Sequence, residues 1–217
     1  MKLKSWVQKI NLNRVWEIAG SNPIQEKELV FVEVSHENLN GIGEASISVR
    51  FNESIEKVLE YLENVESLLG DDPTDIKGIV ERLESIKGAP PCAIAAIDMA
   101  LYDMNGKILG KPIYEMLSLS RQDVSPSCKT ISLAQLSDWK KFLPEFREQR
   151  YIKVKVDAKS DLTVLQEIYK ETGAKLFIDA DESWSPEAAL LKCKTLEEWA
   201  FIEFIEQPIP ANQRASL

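Results

Sequence analysis

The sequence predicts an α+β segment followed by an α/β segment whose strands form a parallel sheet. Three observations carry this prediction. Residues before about 120 read as strands and then helices. From Ser125 onward the rhythm becomes short strand, polar helix, short strand. Successive strands of that second part begin about 24 residues apart, the length of one β/α unit with its right-handed crossover.

In chain order, the β-branched run "ELVFVEVS" (28–35), the turn signal "NLNG" (38–41) and "IGEASISV" (42–49) predict an antiparallel hairpin. In "NESIEKVLEYLENVESLL" (52–69), Ile55, Val58, Leu59, Leu62, Val65, Leu68 and Leu69 recur at the spacing of an amphipathic helix. A second helix is expected over 72–86, introduced by Pro73 and Thr74. A third, over 90–110, is rich in alanine and apolar all round at its start, which predicts burial against several neighbours. The parallel strands are expected at "SCKTISL" (127–133), "YIKVKVD" (151–157), "KLFIDAD" (175–181) and "AFIEFIEQP" (200–208). Helices fill the gaps, over about 135–149, 160–172 and 185–198.

Composition bounds the function classes. The 217 residues are 44% hydrophobic and 28% charged, which suits a globular protein with a sizeable core. A formal net charge of -9 argues against a broad nucleic-acid footprint and leaves small-molecule substrates open. The opening "MKLKSWVQKI" lacks an apolar leader core, and no run approaches the roughly 18 apolar residues of a spanning helix, so no membrane contact and a cytoplasmic location are expected. Cys92, Cys128 and Cys193 are odd in number and far apart, which predicts buried, reduced thiols. His36, the only histidine, is expected at a turn, so a histidine base is not the chemistry to look for.

In a strand over 151–157, Ile152, Val154 and Val156 share one face while Tyr151, Lys153, Lys155 and Asp157 share the other. Two ammonium groups then stand side by side. An isolated pair of this kind is ordinarily solvated on the wet face of an open sheet. The neighbouring strands change that reading. Asp179 and Asp181 close the next strand, and Glu203 and Glu206 lie on the one after, which Pro208 terminates. Sites in α/β proteins form at the carboxyl ends of parallel strands, where inward charges are costly unless paired or bound to metal. Carboxylates without histidine or cysteine suit a hard, oxygen-seeking cation, Mg²⁺ ahead of Zn²⁺. A lysine beside another lysine and near such a cation has its charged form disfavoured, which fits it for general-base work. The set suits removal of a proton α to a carboxylate, with the cation stabilising the enediolate and lysine taking the proton. Asp181 and Glu203 read equally well as solvated rim residues, whereas Lys155, Asp179 and Glu206 together call for a partner.

"IKVKVD", "FIDADESW" and "FIEQPIPA", in this order and at these intervals, resemble the enolase superfamily, muconate-lactonizing subgroup. The stretch "AIAAIDMALYDMNGKILGKPIYEML" (93–117) resembles that subgroup's signature before the barrel. Within the subgroup, "GIGEASISVRFNES" (41–54), "CKTISL" (128–133) and "DADESW" (179–184) look most like dipeptide epimerases. The resemblance covers nearly the whole chain. It implies an α+β capping domain over 1–124 followed by a (β/α) TIM-type barrel over 125–217, of which about the first four strands are present. By position, Lys155 matches the lysine that abstracts the α-proton on one face, and Lys153 the lysine that contacts the substrate carboxylate and tunes its neighbour. Asp179 and Glu206 match the first two Mg²⁺ ligands, and Thr130 matches a substrate-contacting threonine on the first barrel strand. Asp181 stands where the family usually carries Asn and adds a carboxylate as support for that metal site.

The activity implied is Mg²⁺-dependent epimerisation of an L-Ala-L-Xaa dipeptide. Epimerases that take acidic dipeptides tend to carry an Arg in the loop after the motif matched here by "WEIA" (16–19), and this loop reads "GSNPIQE" (20–26) with no cation. A neutral or basic second residue is therefore expected. o-Succinylbenzoate synthase and muconate cycloisomerase share the lysines and ligands and are the alternatives within the class. A barrel needs eight strands, so the third Mg²⁺ ligand, the opposite-face lysine and the groups that hold the dipeptide amine are expected beyond Leu217. On that expectation the chain alone is inactive, either as the first portion of a longer enzyme or as a non-catalytic remnant or half that needs a partner chain. A homo-oligomer is compatible with all of these readings.

Overall fold

The computed structural model describes residues 1–48, 51–120 and 125–216. The expected domain boundary at 124 and the last residue of the predicted 42–49 strand lie outside the described residues. Two compact units are present, Met1–Asn11 with Glu26–Asp123, and Leu12–Gln25 with Val124–Leu217.

The first unit is built on a three-stranded sheet in the order β1 (Lys2–Trp16), β2 (Ile24–His36), β3 (Leu39–Ala45). β2 and β3 run antiparallel, with Val30 opposite Ala45 and His36 opposite Leu39. Glu37, at φ 52°, makes the turn beside His36. β1 escapes a sequence reading because its half-buried positions change phase: Leu3 and Ser5 are odd-numbered, while Ile10, Leu12 and Arg14 are even-numbered. No single alternation runs through the strand.

Three helices follow, α1 (Ile55–Asn64), α2 (Ile76–Glu84) and α3 (Pro91–Leu109), then a single turn α4 (Ile113–Met116). α1 starts at the Ser54 cap, whose hydroxyl accepts from the Lys57 N–H. It stops five residues short of the predicted end. Asn64 turns its amide back onto the Glu60 carbonyl at 2.7 Å, and a 3₁₀ turn over 66–69 takes the remaining apolar residues. α2 begins after Asp75, whose carboxylate accepts from the Gly78 N–H, rather than at Pro73 and Thr74.

The alanine-rich α3 lies against β3 through Ala93, Ala96, Ala100 and Met104, all fully buried. Gly41 and Gly43 make this approach feasible. A Cβ at Gly41 would come within 1.8 Å of the Ala100 carbonyl oxygen, and one at Gly43 within 1.8 Å of the Ala96 carbonyl oxygen. α3 has no side-chain cap of its own, because Pro90 occupies the capping position. Glu53 supplies one from outside the helix: its carboxylate accepts from the Cys92 N–H at 3.0 Å and from the Ser48 N–H at 2.9 Å. Burial opposes the charged form of Glu53, but these backbone donors outweigh it and hold its pKa below the usual range. Glu53→Ala strands two N–H groups and is expected to cost about 1–3 kcal/mol in chemical unfolding, with Glu53→Gln recovering part of the loss.

The second unit carries four parallel strands, β4 (Cys128–Ile131), β5 (Tyr151–Lys155), β6 (Lys175–Asp179) and β7 (Ile202–Glu206), in that order. The predicted helix over 135–149 is broken into α5 (Leu133–Leu136), a 3₁₀ turn (139–142) and α6 (Leu143–Phe146). Ser132 and Gln135 form a capping box that starts α5 early. Pro144 cannot donate into a continuous helix, so α6 begins afresh around it. α7 (Thr163–Thr172) and α8 (Pro186–Glu197) are the other two helices. Ile152, Val154, Leu176 and Ile178 lie in the core of this unit with Leu165, Ile168 and Ala189 of those helices, all fully buried. Residues 12–25 cluster with this unit: the Leu133 N–H donates to the Glu17 carbonyl, and Arg14 pairs with Glu145 and lies over the Phe142 ring. Cys92, Cys128 and Cys193 are free and half-buried. Among the described residues, no helix is long and apolar enough to cross a membrane.

Candidate active site

The site is assembled by register. Lys155 stands opposite Asp179, and Asp179 opposite Glu206, while Thr130 stands opposite Lys153 two register positions earlier. Hydrogen bonds past the strand ends continue the ladder, from the Val156 N–H to the Asp179 carbonyl at 2.9 Å and from the Ala180 N–H to the Glu206 carbonyl at 3.1 Å. The layer beneath is aromatic: Tyr151, Phe177 and Phe204 stack with ring centroids 5.1 and 4.4 Å apart.

Within the charged layer the signs interleave. Lys153 Nζ lies 2.8 Å from Asp179 Oδ2 and 2.5 Å from Glu206 Oε2. Lys155 Nζ lies 2.8 Å from Asp179 Oδ2 and 2.7 Å from Asp181 Oδ2. Asp179 and Lys155 are buried, at 2% and 7% exposure, so the pairs of Lys155 with Asp179 and Asp181 are shielded from solvent, whereas Glu206 leaves the Lys153 end of the network partly open. Asp181 is drawn onto Lys155 and does not stand as a solvated rim residue. Glu203 is different. It pairs with Lys175, at the start of β6, at 3.2 Å and belongs to the opposite end of the sheet from the site. Thr130 is brought near by register alone.

The sequence reading missed the backbone beneath these groups. Asp181, Glu182 and Gln207 all adopt left-handed conformations, at φ 45°, 64° and 45°. Such residues cost about 1–3 kcal/mol each and cluster at functional sites. Asp and Asn tolerate this conformation best among residues with side chains, which gives position 181 a backbone reason for either. Ser183 Oγ, in the same loop, is buried without a hydrogen-bond partner.

Two family models match the sequence. Residues 11–118 match the mandelate racemase / muconate lactonizing enzyme N-terminal domain, and residues 141–217 match the enolase C-terminal domain-like family. The chain belongs to the enolase superfamily. Its first unit contains the superfamily's N-terminal capping region and its second the C-terminal α/β region. The L-Ala-D/L-Glu epimerase of Bacteroides thetaiotaomicron is 27% identical over 98% of this chain and 56% of that protein. The L-Ala-D/L-amino acid epimerase of Maribacter sp. is 31% identical over 82% of this chain and 52% of that protein. The crystal structure of a dipeptide epimerase from Enterococcus faecalis, complexed with Mg and the dipeptide L-Leu-L-Tyr, superposes with a TM-score of 0.88 at 26% identity. It is matched over 99% of this chain and 62% of that one. The chain thus spans about half the length of the curated relatives it matches.

In this superfamily member, burial opposes the charge on Lys153, yet the hydrogen bonds and charges of Asp179 and Glu206 outweigh it and raise its pKa above the ordinary lysine value. The expected suppression of charge by a neighbouring lysine does not govern Lys153, because two carboxylates lie closer to it. Burial also opposes the charge on Asp179, and the two lysines with the Asp181 N–H reverse it, holding its pKa below the ordinary 3.8. The pH dependence follows from these directions. The Asp179 contribution to stability is full above pH 3.8 and lost as pH falls through its lower folded value. The Lys153 contribution is full below pH 10.5 and lost as pH rises through its higher folded value. Unfolding midpoints measured across pH should fall on the acid side, and Asp179→Asn should remove part of that acid limb.

The donors fit a hard divalent cation: Asp179 and Glu206 are carboxylates on adjacent strands, in register, and already share one cationic group. Among the described residues no group of three His, Cys, Asp or Glu side chains forms a ready metal cluster. A cation would compete with the Lys153 ammonium for the same two oxygens.

Proposed function

We propose that this chain carries one face of a Mg²⁺-dependent site that removes the proton α to a carboxylate, and that its substrate is an L-Ala-L-Xaa dipeptide undergoing epimerisation. The observation that supports this most is the interleaving of Lys153 and Lys155 with Asp179 and Glu206 in one layer at three consecutive strand ends. The names of the relatives point the same way. In this reading the four strands open a (β/α) barrel, and the protein works in the cytoplasm.

Asp179 and Glu206 would hold Mg²⁺, which supplies positive charge to offset the enediolate. Lys155 takes the α-proton at Nζ, with Asp179 and Asp181 fixing the ammonium that results. Lys153 orients the substrate carboxylate, and Thr130, in the same row, contacts the substrate. The buried strand ends restrict water around the reacting carbon.

Specificity rests on the loop joining β1 and β2. The Leu133 N–H donates to the Glu17 carbonyl just beyond β4, which brings that loop to the carboxyl end of the sheet. Residues 20–26 carry no cation, and the next one, Lys27, is engaged with Ser46 at 3.0 Å. In a complete enzyme that carries this segment, turnover of L-Ala-L-Leu should exceed that of L-Ala-L-Glu by about tenfold or more, the ratio that one charge contact of roughly 1.4 kcal/mol supplies. Equal rates in a stereochemical assay would remove the loop argument. Lactone opening of muconolactone without dipeptide turnover would favour the cycloisomerase alternative.

A further inference from the structure

We infer that Trp184 is a positioning residue for this site: its indole and backbone N–H groups tie together the loops that follow β5, β6 and β7, and so hold the strand ends that bear Lys155, Asp179 and Glu206. The inference rests on the proposed reading of those three residues.

Trp184 lies five residues past the end of β6, is 1% exposed, and belongs to the core of its unit. Its indole Nε1–H donates to the Asp157 carbonyl at 3.1 Å, two residues beyond Lys155. Its backbone N–H donates to the Pro208 carbonyl at 3.1 Å, two residues beyond Glu206. Between this outer tie and the end of the sheet, the Glu182 N–H donates to the Gln207 carbonyl at 2.7 Å. The indole therefore joins the loop after β6 to the loop after β5, while the backbone N–H groups of Glu182 and Trp184 join it to the loop after β7.

These ties have something to restrain. The left-handed residues Asp181 and Glu182 lie between Ala180 and Trp184, and Gln207 lies between Glu206 and Pro208. Strained backbone of this kind persists only where the surroundings over-determine it. Without the indole donor the loop after β6 loses its tie to Asp157, and the carboxylates of Asp179, at its start, and Asp181, within it, lose their fixed aim, while the backbone bonds to the loop after β7 stay. A tryptophan that only filled space would need no aimed N–H. Phenylalanine supplies a similar apolar ring without the donor, so the two roles separate experimentally.

The test compares wild type with Trp184→Phe in a complete enzyme that carries this segment and the expected third ligand, using Mn²⁺ as the probe in an EPR titration and circular dichroism to establish folding. Wild type is expected to bind Mn²⁺, and the folded variant to bind it about 10–100-fold more weakly, as for other groups that orient metal ligands. A folded variant with wild-type affinity overturns the positioning role. Absence of Mn²⁺ binding by wild type overturns the reading of Asp179 and Glu206 as ligands and takes this inference with it, so the two failures are distinguishable. A second measurement needs no variant. Adding Mg²⁺ to ¹⁵N-labelled wild type should shift the Trp184 indole signal and slow its exchange with solvent, while leaving the exposed Trp6 signal in place. An unmoved Trp184 signal contradicts the proposal.

Discussion

Asp179→Asn is expected to lower the unfolding free energy by about 3 kcal/mol, near the lower end of the 3–5 kcal/mol typical of breaking a buried ion pair. Asp179 Oδ2 accepts from both Lys153 and Lys155, so its loss removes one carboxylate from two shielded ammonium groups at once. Each lysine keeps one other acid, Glu206 for Lys153 and Asp181 for Lys155, which is why the cost stays at that lower end. Denaturant unfolding at neutral pH checks the magnitude. A loss under about 1 kcal/mol would mean that the layer behaves as a surface network. Because Asp179 is also a proposed metal ligand, the same variant should lose Mn²⁺ binding while it remains folded, and that second effect separates the two roles.

In a complete enzyme that carries this segment, Lys155→Ala is expected to slow exchange of the substrate α-proton by about 10²–10⁴-fold, the range that a positioned general base supplies. The effect should fall on kcat. Lys155 is buried between Asp179 and Asp181, and the proposed substrate contacts belong to Lys153 and Thr130. Removing its ammonium leaves those two carboxylates facing each other, which should strengthen cation binding rather than weaken it. Exchange within tenfold of wild type would remove Lys155 from the role of base. A variant with low kcat and tighter Mn²⁺ binding would satisfy both parts of the argument.

The charged residues of the site were readable because a strand alternates and a parallel sheet brings like ends together. "YIKVKVD" places Lys153 and Lys155 on one face whatever the tertiary structure, and the β/α spacing then aligns them with Asp179 and Glu206. Glu203 lies on the fourth strand as read and is solvent-exposed, and its pairing with Lys175 at the other end of the sheet settles its place as outside the site. β1 was hidden by its change of phase, and the 135–149 helix by Pro144 and an early cap. The left-handed loop residues and the indole bond of Trp184 depend on how two loops meet, over distances along the chain that no local pattern encodes. Gly41 read as part of a turn signal and Gly43 as an ordinary strand position, yet in the structure both serve a close approach of α3.

The central claim is that the layer at the ends of β5, β6 and β7 performs metal-dependent removal of a proton α to a carboxylate. The most direct measurement is deuterium incorporation from D₂O into L-Ala-L-Leu at the α-carbon beside its carboxylate, followed by NMR with Mg²⁺ present and again with a chelator. In a complete enzyme that carries this segment, the account predicts incorporation that requires Mg²⁺ and disappears with Lys155→Ala. Incorporation that persists in the chelator or in Lys155→Ala would contradict it.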